Sequence, residues 1–305
     1  MSWKLFFSFV FTLALISLLA TYWLLPFGTT QFYKTQNSGN FNFTLDNSDD
    51  LKMQFYDNMR YPNKEILYNI ESCSIQKRYE MEQALEIVSN LTILKFNPSD
   101  FGWEISVTCD EKTRIENGLF IGGEGGPVNI TNTTNFNVIF NGEVLLIRES
   151  KCPKPNIAIH ELLHALGFSH SLNPESIMYN ITNCEQQIGD DIINKINTLY
   201  SVPSYPDLSI EDASAILRGK YLDANITVRN QGLLKSERTN ILIKADNNTI
   251  DKIELPEMGI GQGNEIFLSN VFVPKLSVNE LEFSIIYTGD ELEKNNNKIN
   301  LKIKK

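Results

Sequence analysis

The sequence holds three histidines in 305 residues, and all three lie in one stretch, His160-Glu161-Leu162-Leu163-His164-Ala165-Leu166-Gly167-Phe168-Ser169-His170. On a helix, His160 and His164 fall one turn apart on the same face, so both imidazoles can be aimed at one ion. Gly167 lacks a Cβ and can take the left-handed backbone that stops a helix and reverses the chain. That reversal would return His170 as a third ligand. Three neutral imidazoles with an open fourth position make a catalytic zinc site rather than a structural one. Glu161 sits beside the first ligand but off its face, where it can act on a water at the metal. The competing reading, an amphipathic helix with incidental histidines, leaves the ligand spacing and the placement of Glu161 and Gly167 unexplained.

The surrounding chain must supply a helix for this stretch, expected over about 156–166 behind Cys152, Pro153 and Pro155. Apolar periodicity predicts two more helices, over 75–88 and 185–199. β-branched and aromatic runs predict strands at 66–70, 91–96 and 103–108. Asn141-Gly142, between the apolar runs 136–140 and 143–147, predicts a hairpin turn. The glycine-rich stretch 118–127 carries no lysine and no phosphate-binding pattern, and reads as a surface loop. Beyond Pro203 and Pro206 the composition changes to short alternating strands at 221–228, 239–245, 249–255, 265–273 and 281–287. These predict an all-β sandwich of immunoglobulin-like size. That region contains no histidine and no cysteine.

The net charge is −10, and no basic stripe is present, which argues against nucleic acid as a partner. Cys73, Cys109, Cys152 and Cys184 form an even set without a CxxC pattern, favouring disulfides over a cysteine–zinc site. Three pairings are possible; Cys73–Cys109 with Cys152–Cys184 is the expected one, and free buried thiols are the alternative. Residues 5–27 are uncharged and long enough to span a bilayer, for which about 20 apolar residues suffice. They read as an uncleaved signal anchor with the body outside the cell; secretion after signal cleavage is the alternative. The expected order is an N-terminal tail (1–4), the membrane helix (5–27) and a polar tether (28–53). A zinc domain (54–202) and a β-sandwich (203–305) follow.

HELLHALGFSH resembles the HExxHxxGxxH signature of the metzincin metallopeptidases. Ser171 after the third histidine, and Met178 in HSLNPESIMY, are similar to the matrixin subgroup. The resemblance is specific over about 157–180 and architectural from about 54 to 156. It implies an α+β zincin-like domain and one catalytic Zn2+ held by His160, His164 and His170. It further implies Glu161 as general base and then acid, and Met178 beneath the metal. No propeptide cysteine motif accompanies it, no histidine remains for a second zinc, and no Asp-rich loop carries over a calcium site. PDLSI, ITVRNQG and DELEKNNNKINL in 207–305 resemble the CARDB-like adhesion modules of prokaryotic surface proteins.

Taken together, these features predict a zinc endopeptidase that hydrolyses peptide bonds of extracellular proteins with a metal-activated water. The substrate strand would lie along a sheet edge, sought around 126–140. The alternative is a surface adhesion protein with a catalytically idle zinc domain. The partners implied are a protein or peptide substrate, the membrane through the N-terminal helix, and a cell-surface or protein ligand for the C-terminal module.

Overall fold

The computed structural model describes residues 3–24, 29–34, 53–116, 119–275 and 277–303. In chain order the elements are α1 (Trp3–Leu24), β1 (Thr29–Lys34), β2 (Met59–Arg60), β3 (Glu65–Ile70), α2 (Ile75–Leu91), β4 (Lys95–Pro98) and β5 (Ile105–Cys109). There follow β6 (Ile115–Glu116), β7 (Leu119–Phe120), β8 (Gly123–Asn132), β9 (Asn137–Leu146), α3 (Asn156–Ala165) and α4 (Asp190–Ser201). The remainder is β10 (Leu208–Arg218), β11 (Tyr221–Asn230), β12 (Thr239–Ala245), β13 (Asn248–Leu255), β14 (Gly263–Phe272), β15 (Glu280–Ile285) and β16 (Lys298–Ile303). The chain divides into two compact units, one of residues 43–206 with 231–235, the other of 1–42, 207–230 and 236–305.

The first unit is α+β. Strands β4, β3, β5 and β9 lie side by side and parallel, and β2 pairs in parallel with the start of β9. Parallel neighbours need crossover connections, and α2 serves as one between β3 and β4. β8 is antiparallel to β9 and ends the sheet on that side. Helices α2, α3 and α4 share one core with the strands, through Met81, Leu85 and Val88, through Leu162 and Leu163, and through Ile192, Ile196 and Leu199. Ser74 caps α2, its hydroxyl accepting from the Lys77 amide at 3.3 Å. Beside that cap, Cys73 is bonded to Cys109 at the end of β5, and Cys152 is bonded to Cys184 across the segments flanking α3.

A fully buried guanidinium closes this unit. Arg60 donates to the carbonyls of Tyr61, Pro62, Leu199 and Val202, and its plane lies 4.6 Å over the Tyr200 ring. Two of these carbonyls belong to the C-terminal end of α4, where the helix dipole favours a cation. Burial lowers the Arg60 pKa to about 10.

Two expectations fail here for physical reasons. Asn141-Gly142 does not turn the chain but lies inside β9, where Gly142 pairs with Ile105 and Pro127. The glycine is required by a close approach: a Cβ there would stand 2.4 Å from the Tyr61 hydroxyl, which donates to Ala165 O at the end of α3. The stretch 118–127 is not a loop; from Gly123 it is the edge strand β8, while Gly118 lies outside the described residues.

The second unit is antiparallel throughout, in the order β13-β12-β15-β16-β1-β10-β11-β14. The strands form one continuous hydrogen-bonded path, where the sequence predicts two stacked sheets. One face encloses a core of its own, with Phe32, Ile226, Ile243, Phe283 and Leu301 buried. The stretch expected as a polar tether supplies β1, seated between β10 and β16, with Phe32 opposite Ala215 and Ile303. Its single large apolar inward residue, Phe32, is too short a signal to read as a strand in a polar context. Residues 35–52 of that stretch lie outside the described residues. None of the described side chains of the N-terminal helix α1 is buried, and Trp3–Thr21 has a mean hydropathy of 2.0. It is compatible with a signal peptide or a single membrane span; residues 25–27 of the expected span lie outside the described residues.

Candidate metal centre and active site

The site grows from the end of α3. Leu166 closes the helix, Gly167 takes φ +95°, and two hydrogen bonds complete the reversal: Gly167 N to His164 O at 2.9 Å and Phe168 N to Leu163 O at 3.0 Å. This pair is the Schellman pattern, which needs a residue free to adopt positive φ. A Cβ at 167 would also meet the Met59 Cβ at 2.8 Å. The segment leaving the turn is clamped by the chain entering the unit: Phe55 N donates to Gly167 O and Ser169 N to Met53 O. On the other side Ser171 N donates to the carbonyl of Met178, a fully buried core residue.

These constraints bring the three imidazoles to one point. Nε2 of His160 and His164 are 3.0 Å apart, and each is 3.2–3.3 Å from Nε2 of His170. The outer nitrogens of the first two are held: His160 Nδ1 donates to Ile177 O at 2.6 Å and His164 Nδ1 to Phe168 O at 2.7 Å. With the proton on Nδ1, the Nε2 lone pairs of His160 and His164 face inward at His170 Nε2, an arrangement that suits a cation between the three. Burial, followed by the neighbouring imidazole of His160, pushes His164 down to about 4, so a proton does not fill that role. Burial likewise lowers His160 and His170. Three nitrogens at about 2.0–2.1 Å from one tetrahedral ion stand roughly 3.3 Å apart, so the donor set fits zinc. Among the described residues, these three form the only group of three or more His, Cys, Asp or Glu side chains whose ligand atoms all lie within 4.8 Å of one another.

The histidines open into a cleft of ≈ 940 Å³. Its walls include Phe55, Gly123, Gly125, Ile157 and Ile181, with the Cys152–Cys184 bond at its rim. Phe55 lies flat against His164, ring centroids 5.7 Å apart and planes 23° from parallel. Glu161 also lines the cleft, though it is 6 % exposed. Burial, then the Glu124 carboxylate on β8, push its pKa up to about 8. A divalent cation nearby opposes that shift and favours the carboxylate.

The sequence brings the three histidines of this cluster together, but not the glycine-rich wall of the cleft that packs on α3. Gly122, Gly123, Glu124 and Gly125 line the cleft, just short of the edge sought at 126–140. A strand built on glycines leaves no side-chain alternation to read. The Phe55 contact was missed too, because it rests on a pairing between segments more than a hundred residues apart.

The matrixin family model matches residues 60–201, just under half of the chain. The match supports a matrixin-type catalytic domain in that part, and with it zinc-dependent metallopeptidase activity at the level of the family. A comparison with curated proteins finds no match.

Proposed function

We propose that residues 54–202 form a zinc endopeptidase acting on proteins outside the cell, with His160, His164 and His170 as ligands and Glu161 as the proton carrier. The observation that carries this reading is the convergence of three imidazole Nε2 atoms beside a buried carboxylate in an open cleft. Zinc bound there supplies Lewis-acid polarisation of a peptide carbonyl and makes water acidic near neutral pH. Glu161 takes a proton from the attacking water and hands it to the leaving amine. The backbone of 122–125 receives the substrate as an added strand. Ile177 O and Phe168 O keep the imidazoles in one tautomer, and Met178 packs under the ligands.

An idle zinc domain on an adhesion protein is the weaker reading, because an idle site has no use for a carboxylate at 161. We further read α1 as a signal anchor, with signal cleavage as the alternative, and the C-terminal unit as a CARDB-like module. For the module the support is spatial: PDLSI, ITVRNQG and DELEKNNNKINL meet at one buried polar cluster. There Asp207 N donates to Asn230 Oδ1, Leu208 N to Glu291 Oε1 and Asn296 Nδ2 to Asp207 Oδ1.

The test is cleavage of an unstructured protein by the full chain. Chelation should abolish it. Glu161→Gln should lower kcat on the order of 10²–10⁴-fold with bound zinc unchanged. Undiminished cleavage by that variant would sink the mechanism.

A further inference from the structure

The edge strand β8 touches the helix that carries Glu161 backbone to backbone. An ideal Cβ placed on Gly125 lies 2.2 Å from the Glu161 carbonyl oxygen and 3.0 Å from its Cα. One placed on Gly123 lies 2.7 Å from Glu161 Cγ and 2.7 Å from Leu145 O. Neither glycine has a positive φ, so conformational freedom does not explain them. Two residues apart on a strand, they share a face, and that face rests on α3 at the very residue that would carry the proton. Gly126, outside the cleft wall, meets nothing within 4 Å.

We infer that Gly123 and Gly125 are positioning residues of the hydrolytic site. They let the substrate-bearing edge sit directly on α3 and so fix its height above the Glu161 carboxylate. The inference rests on the endopeptidase reading above and adds to it the device that sets this distance. A methyl group on Gly125 cannot be absorbed by a rotamer change, because the atom it meets belongs to a helix backbone. Ordinary contact begins at 3.4 Å, so the strand must rise by more than 1 Å. β8 is free to do so, since its paired neighbour is β9 on one side only. Gly123→Ala meets Glu161 Cγ, so that relief on that side displaces the buried carboxylate itself, and the Leu145 carbonyl, which cannot move. A displacement of about 1 Å at a reacting group can lower a rate roughly 10²-fold. A substrate lifted together with its strand keeps its backbone hydrogen bonds, so the loss falls on kcat and leaves KM nearly unchanged.

The experiment compares Gly123→Ala, Gly125→Ala and Gly126→Ala with the wild-type full chain. It measures kcat and KM per bound zinc, thermal unfolding of the zinc-free proteins, and the crystal structure of the Gly125→Ala protein. Gly125→Ala and Gly123→Ala should each lose about 10²-fold in kcat, and Gly126→Ala almost nothing. Zinc stoichiometry should stay at the wild-type value in all three, and the crystal should show β8 displaced from α3. The inference is overturned if Gly125→Ala matches Gly126→Ala in kcat, or loses activity only in proportion to lost zinc or folded protein. A β8 unmoved in the crystal overturns it as well. A wild type that cleaves nothing would instead remove the endopeptidase reading, and the crystal would still decide whether the glycines set the strand's height.

Discussion

Both units bury a cluster of polar groups that can ionise, and the two clusters are answered differently. In the C-terminal unit, Asp207, Glu291 and Glu293 are each at least nine-tenths buried, but protein donors meet all three: Asn296, the Leu208 amide with Asn297, and the Asn295 amide. In the catalytic unit the protein answers only the outer nitrogens of His160 and His164, and the inner three face one another. A buried polar group satisfied by its own chain is structural; one whose lone pairs are gathered and left to each other is a place for an ion. By that criterion the three gathered Nε2 atoms mark a place for an ion, whereas the carboxylates of the C-terminal cluster are met by their own chain, although the buried Oδ1 atoms of Asn296 and Asn297 beside them are not.

The comparison can be broken most severely at the ligands. Replacing His160, His164 or His170 by Ala should lower zinc affinity by more than about 100-fold, since loss of a mere outer partner already costs 10–100-fold. Cleavage should vanish with the metal. Metal analysis of the three single variants checks this, and retention of zinc in any one of them means that the ligand set is wrong. The C-terminal unit should unfold as in the wild type.

The converse change is Phe32→Ala. Phe32 is buried between β10 and β16, and its truncation should destabilise the C-terminal sheet by about 3–5 kcal/mol. Zinc content and cleavage should be preserved, as denaturant titration followed alongside metal analysis would show. A parallel loss of zinc would mean that the two units are not energetically separate.

The smallest effect is in pH, where His164 of one unit and Asp207 of the other pull stability in opposite directions. In the zinc-free protein, unfolded chains bind a proton at His164 between about pH 4 and 6.5 that folded chains reject. His164 therefore makes the catalytic unit more stable as pH rises across that window. Glu161, raised from 4.5 to about 8 chiefly by burial, opposes it from pH 4.5 upward, because the folded chain keeps a proton there that the unfolded one releases. Asp207 is raised to about 6 from 3.8, chiefly by burial, so the folded chain keeps a proton that the unfolded one releases. Stability of the C-terminal unit therefore falls as pH rises from 3.8 to about 6. Calorimetry of the zinc-free protein from pH 4 to 6.5 should show the C-terminal transition falling as pH rises, Asp207→Asn should flatten it, and Glu161→Gln should let the catalytic transition rise with pH.

How much of this was legible depended on the range of the interactions. The ligand spacing, the stop at Gly167 and helices α2 and α3 are local, so residue type and period carry them. The strand β8 was hidden because glycines serve there for contact with α3, whereas in sequence they signal a turn. Asn141-Gly142 misled for the same reason, since the partner that demands Gly142 is Tyr61, far away in the chain. Arg60 offered no sign of burial: its partners are carbonyls, which every sequence has. The single-path sheet of the second unit was unreadable because β1 comes from a polar stretch and meets partners more than 180 residues away.

That placement of β1 bears on how the protein is made. Phe32 pairs with Ile303, 271 positions later. At about 5–20 residues per second, a ribosome delivers the second roughly 15–50 s after the first. For about the first two thirds of that interval β1 waits without either neighbour, since Ala215 of β10 comes 183 positions after Phe32, and residues 43–206 of the catalytic unit are synthesised in that time. The zinc-ligand turn can therefore close before the sheet does, and a nascent chain stopped short of β10 would carry a finished metal centre beside an orphaned strand.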